Sequence, residues 1–272
     1  MKAVLRLAAS AICCCLLLGS PAQAGRTCAE PQPLKPETVI RALDLALRTA
    51  LALDASGAKV LVLARAGQDL RKYRLYYSHL GFAYQHSDEQ GGHVWRILHK
   101  LNQCGSADST VYRQGLGDFF MDDLWRMEAA WMIPAPEVQR KLLAVLTDEQ
   151  RMVQMHARPY SMVSYVWGLK YQQSNQWALE TLALALDPEQ PTNGGTRARA
   201  QQWLQGQDYR PGVLNIGALK RLGARMTAAN VAFDDHPDEK RFSDRIETVT
   251  ADSFFSWMTR AGLTNQPLQK IN

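Results

Sequence analysis

Residues 76–101 read YYSHLGFAYQHSDEQGGHVWRILHKL, and the reading of this stretch decides the fold. Taken alternately, Tyr77, His79, Gly81 and Ala83 point to one side of an extended strand, and Ser78, Leu80, Phe82 and Tyr84 to the other. One face is bulky and the other nearly bare around His79. The polar loop that follows, QHSDEQGG, ends in two glycines and predicts an antiparallel hairpin into HVWRILHKL. A tip near Asp88 or Glu89 sets His79 against residue 98 or 99, so His99 becomes its cross-strand neighbour if the register puts both on one face. Two adjacent histidines can fix each other's tautomer, as a general base requires, although a structural histidine bonded to backbone leaves the same trace in sequence.

Working outward, KVLVLAR (59–65) and RMEAAWMI (126–133) read as further strands. Before the sheet, TVIRALDLALRTALALDASG places Val39, Leu43, Ala46, Leu47, Ala50 and Leu53 on one helical stripe, with Pro36 near its start and Gly57 past its end. After the sheet, helical spacing recurs in APEVQRKLLAVLTDEQRMV, in SNQWALETLALALD, in TRARAQQWLQ and in GALKRLGARMTAANVAF. YSMVSYVW is a short apolar run, and RIETVTADSFFSWM suits a final strand or helix. The order of helix, antiparallel sheet and helices predicts an α+β fold, a sheet packed with helices, as one domain over residues 25–272.

Residues 1–24 combine Lys2 and Arg6, an apolar run from Leu7 to Leu18 and the ending Ala22-Gln23-Ala24, the three parts of a secretory signal peptide cleaved after Ala24. The run is too short to span a bilayer, so the expectation is a periplasmic protein without stable membrane insertion. Cys13, Cys14 and Cys15 would leave with the signal, and Cys28 and Cys104 would remain as an even pair in an oxidising compartment, either as a disulfide or with Cys104 a free thiol. Basic residues number 31 and acidic 26; without Lys2 and Arg6 the excess is near +3, with no basic stripe of the kind nucleic acid needs.

Ser174 stands at the start of the SNQWALE helix, where free backbone N–H groups favour an oxyanion and where serine also serves as an N-cap. The order SHLGFAY, ILHKL, YQQSNQWALETL resembles circularly permuted papain-like hydrolases of the NlpC and lecithin:retinol acyltransferase type. In those proteins a Ser-His-hydrophobic-Gly strand precedes a polar orienting residue on the next strand, and a cysteine opens a later helix. The resemblance implies a permuted papain-like fold, His79 as general base, His99 as orienting residue and Ser174 at the nucleophile position, where serine replaces cysteine. Tyr77, Gly81, Tyr165 and Asn175 would contact substrate. Over a longer span, GQDLRKY, LGDFFMDD and NQWALE resemble an exported bacterial family defined only as a domain of unknown function, 2145, which implies no activity.

The remaining motifs read as structural. DDHPDE (234–239) suits a solvated turn and His86 and His93 a solvated loop; Trp125, Trp131, Trp167, Trp177 and Trp203 could stack on sugar rings in a cleft, but most fall on apolar stripes and suit the core, which leaves Tyr76, Tyr77 and Tyr165 as the better candidates for ligand contact. RQGLGDFF lacks the Lys-Ser or Lys-Thr of a phosphate loop. No cofactor or metal is expected. Two functions follow: a periplasmic hydrolase or acyltransferase acting on an amide or ester of a cell-envelope component, or an inactive binding module of the same fold that holds an envelope peptide, glycan or lipid.

Overall fold

In the computed structural model, residues 34–88, 90–103, 105–122, 124–189 and 194–272 are described. The predicted signal peptide, Cys28 and Cys104 lie outside them. The chain enters as α1 (Pro36–Ala55), with Pro36 in its first turn and Gly57 in the left-handed region at φ 68° just beyond its end. It continues through β1 (Val60–Ala66), β2 (His79–Ser87), β3 (His93–Asn102) and β4 (Ser109–Gly115). A short α2 (Leu116–Phe120) leads to β5 (Arg126–Met132), followed by α3 (Pro136–Leu146), α4 (Arg151–Gln154), α5 (Ser174–Leu186) and α6 (Arg197–Gly206). The last part comprises β6 (Gly212–Asn215), α7 (Ala218–Thr227), α8 (Asp238–Phe242), β7 (Arg245–Thr248), α9 (Ala251–Arg260) and β8 (Gln269–Ile271).

Six strands form one antiparallel sheet in the order β4-β3-β2-β1-β5-β8, and β6 and β7 pair separately. The protein is therefore α+β, an antiparallel sheet packed with helices, as the element order predicted. Strand alternation divides the core in two. Val60, Val62, Leu80, Phe82, Tyr84 and Leu98 meet residues of α3, α5 and α9 on one face. On the other, Leu61, Leu63, Ala83, Ile97 and Trp131 meet α1 and α2. Because β1 is covered on both sides, its residues 60–64 read as an unbroken apolar run, and Arg65 after them is buried as well.

Several expectations change. In α1 the buried residues are Ala42, Leu45, Ala46, Thr49 and Leu53, while Leu43 and Leu47 are exposed. The helix has apolar residues on both sides of its Glu37, Arg41, Asp44 and Arg48 stripe, so two apolar stripes are on offer, and contact with the sheet and α2 selects one. The polar segment STVYRQG forms edge strand β4, which carried too little alternation to be foreseen. YSMVSYVW contains no strand, and RIETVTADSFFSWM divides into β7 and α9. The alternation read across residues 77–84 stops at His79: Tyr77 precedes the strand and joins the α5 face beside Phe255, with ring centroids 6.3 Å apart. Asp235 and His236 form a buried pair and not a solvated turn.

Candidate functional site

His79 and His99 do meet. The β2–β3 register places Phe82 opposite Leu98, so His99 falls across from Gly81 and His79 sits diagonal to it on the α2 face. Gly81 permits the approach. A Cβ there would stand 2.8 Å from His99 Cβ and 2.9 Å from the Leu98 carbonyl oxygen, so the bare strip read from sequence is filled by the neighbouring strand. His79 Nε2 lies 2.8 Å from His99 Nδ1, and His99 Nε2 lies 2.7 Å from Gln114 Oε1 on β4. With the Gln114 oxygen accepting, His99 holds its proton on Nε2 and accepts on Nδ1. His79 then donates from Nε2 and carries its lone pair on Nδ1.

Arg65, opposite His79 on β1, covers the pair from below. Its guanidinium lies 4.7 Å from the Phe119 ring centroid and donates to the Phe119 carbonyl and the Asp122 carboxylate. The same ring stands 5.9 Å from His79 and 5.3 Å from His99. Burial, then the Arg65 charge, then His99 hold His79 well below the usual imidazole range. Burial and Arg65 likewise lower His99 to about 3, opposed by the bond to Gln114. Both rings are neutral at physiological pH. Among the described residues, their hydrogen bonds and ring contacts go to each other, Gln114 and Phe119, not to a serine, threonine or cysteine.

Ser174 belongs to the opposite face. It opens α5, which packs on the Phe82 side of β2 with Trp177 and Phe82 ring centroids 6.0 Å apart. It neighbours the buried Tyr160 phenol, which burial raises and Ser174 lowers. Nor does Ser174 cap the helix: Gln173 Oε1 accepts from the Asn175 backbone N–H at 2.7 Å, so Gln173 is the N-cap. The sheet thus separates the expected base from the expected nucleophile.

The expected substrate contacts are also dispersed. The Asn175 side chain accepts from Leu80 N at 3.1 Å and donates to the Ser78 carbonyl at 3.4 Å, clamping the start of β2 to α5. Tyr77 donates to Glu128 Oε1 at 2.7 Å, and burial followed by that carboxylate raises its phenol. Half-buried Tyr165 packs 5.1 Å from the His236 ring, and its backbone N–H binds Asp235. His93 bonds Asp54, and no three His, Cys, Asp or Glu side chains converge as metal ligands among the described residues.

Sequence reasoning missed two features. The first is a buried ionic network on the α5 face. Lys100 Nζ donates to Gln172 Oε1 at 2.6 Å and to the Ala157 carbonyl at 2.7 Å. Gln172, Arg197 and Gln201 in turn donate to the Glu180 carboxylate. Burial and the Arg197 charge lower Lys100 to about 6, while Glu180 opposes them. The signal was present: Lys100 shares the parity of Leu98, and Glu180 interrupts an apolar helix. The second is a surface cluster at the start of β5. Trp125, 40% exposed, has the guanidinium groups of Arg71 and Arg126 at 4.9 Å and 5.0 Å from its ring centroid. Tyr76, 67% exposed, adjoins it through its carbonyl contact with Arg126.

The fold and its two polar clusters define an α+β protein with a sealed, neutral histidine pair on one side of the sheet and a buried ionic network on the other. The chain belongs to a bacterial family: residues 52–258 match the family model described as an uncharacterized protein conserved in bacteria, DUF2145. No curated protein and no solved structure matches it.

Proposed function

We propose that the protein is an exported, non-catalytic binding module for an anionic glycan or glycopeptide of the cell envelope, held at the Tyr76/Trp125 cluster. One observation carries this reading: the exposed Trp125 ring adjoins the guanidinium groups of Arg71 and Arg126, and exposed Tyr76 joins them through its carbonyl contact with Arg126. Aromatic faces stack on the apolar sides of sugar rings, and guanidinium groups pair with carboxylates. Arg71 is already paired with Asp69, and Arg126 with Glu128, so a ligand carboxylate competes for donors that are pre-positioned. Export rests on the signal-like residues 1–24 and places the protein where such polymers occur.

The hydrolase reading, with a permuted papain-like fold and catalysis by His79, His99 and Ser174, needs Ser174 on the histidine face. The packing of α5 on the other face weighs against it. Calorimetric titration with soluble muropeptides tests the module: binding should occur, fall at least tenfold in Trp125→Ala, and persist in Ser174→Ala. A fluorophosphonate probe should leave the folded protein unlabelled. Labelling that disappears in Ser174→Ala would restore the enzyme. Intact mass of protein from the periplasm tests export and the bridge together, through cleavage after Ala24 and two missing protons at Cys28 and Cys104.

A further inference from the structure

Helix α7 packs through one side only. Arg221 is buried and donates to the Ile216 carbonyl and the Asp244 carboxylate, and Ala224 and Ala228 lean on the small cluster around Leu214 and Ile246. The opposite side carries Leu219, Leu222 and Met226 at 86%, 60% and 79% exposure. Their spacing of three and four residues makes one continuous apolar stripe. Lys220 and Arg225 flank the stripe on its two sides and make no ion pair among the described residues. No aspartate or glutamate occurs in the helix. Next to its start, Phe242 (69% exposed) and exposed Arg245 bracket Asp244.

From this juxtaposition of an exposed apolar stripe and unpaired flanking cations we infer that α7 is a peripheral docking surface for an anionic lipid bilayer. Leucine and methionine side chains enter the boundary between headgroups and acyl chains. Lys220 and Arg225, on flexible stems, reach the lipid phosphates above them. Charge complementarity selects this helix over α1, whose exposed Ile40, Leu43, Leu47 and Leu51 share their helix with Glu37, Asp44 and Asp54 against Arg41 and Arg48, a net negative charge, where α7 is basic throughout. The contact is reversible and local, since no helix among the described residues is long and apolar enough to cross a membrane.

Vesicle flotation of the purified protein tests the assignment. It should float with vesicles of phosphatidylglycerol and phosphatidylethanolamine, lose that binding as salt is raised, and fail to float with phosphatidylcholine. Leu219→Glu/Leu222→Glu/Met226→Glu and, separately, Lys220→Glu/Arg225→Glu should each weaken flotation about tenfold or more at an unchanged melting temperature. Absence of flotation, equal flotation on both lipids, or retained flotation in either variant would overturn the proposal. So would a dimer in sedimentation that the triple variant dissolves, because the stripe would then belong to a second copy. The inference rests on the export reading only for which lipid is met, and muropeptide binding at Trp125 is measured without vesicles, so either result stands without the other.

Discussion

Replacing Gly81 by alanine adds one methyl group at the most crowded point of the β2–β3 hairpin. That methyl would sit 2.8 Å from His99 Cβ, 2.9 Å from the Leu98 carbonyl oxygen and 3.1 Å from Ile97 Cγ2. Two of these atoms are backbone or a Cβ fixed to it, so relief requires the two strands to move apart. Overpacking of this kind costs roughly 1–3 kcal/mol. Against it, alanine restricts the unfolded chain and returns about 0.4–1 kcal/mol, because Gly81 does not occupy the left-handed region. The net is a loss of up to about 2.6 kcal/mol with a midpoint of about 1.3 kcal/mol, which at that midpoint lowers the melting temperature by roughly 3–5 °C for a chain of this size. Differential scanning calorimetry of Gly81→Ala beside wild type measures it, with Gly81→Leu expected to lose more. An unchanged or raised melting temperature would refute the close contact, and with it the account of how His99 reaches His79.

The remaining predictions concern the polar groups buried on each side of the sheet. Glu180→Ala removes the acceptor shared by Gln172, Arg197 and Gln201 and strands the Arg197 charge, so chemical denaturation should show a loss of roughly 3–5 kcal/mol; a loss below 1 kcal/mol would mean that the network is wet. Asn175→Leu leaves Leu80 N and the Ser78 carbonyl without their side-chain partner, and hydrogen exchange should become faster at the start of β2 while the β3–β4 ladder is unaffected. Stability should also depend on pH. Folded His99 titrates at about 3 against an ordinary 6.5, and Lys100 at about 6 against 10.5. In both windows the unfolded chain binds a proton that the fold refuses, so stability rises with pH, first between about 3 and 6.5 and then between about 6 and 10.5. Urea midpoints should thus climb from pH 5 to pH 9, and Lys100→Met should flatten the rise above pH 7; a flat wild-type profile there would place Lys100 in water.

Local order was legible in the sequence because it is written by periodicity and punctuation. The two-residue alternation of SHLGFAY and HVWRILHKL, with a glycine-closed loop between them, determined the hairpin and set His79 beside His99. Proline starts and glycine stops bounded α1, and helical spacing bounded α3 and α5. What no local pattern contains is which helix covers which face of the sheet. α5 is buried from Ser174 to Leu184, so it has no solvent-exposed side to orient it. Its docking on Phe82, away from the histidine face, is a result of packing, as is the choice of the Leu45 stripe over the Leu43 stripe in α1. That choice separates Ser174 from His79. The link from Lys100 through Gln172 to Glu180 joins residues distant in the chain, and a carboxylate as buried as Glu180 persists only with partners such as Arg197 that tertiary structure supplies. Sequence thus determined most of the strands, the hairpin and the neighbouring histidines, but not edge strand β4 or the register, which puts Gly81 and not His79 opposite His99, while tertiary packing decided which polar groups became core and which aromatic and cationic side chains remained at the surface.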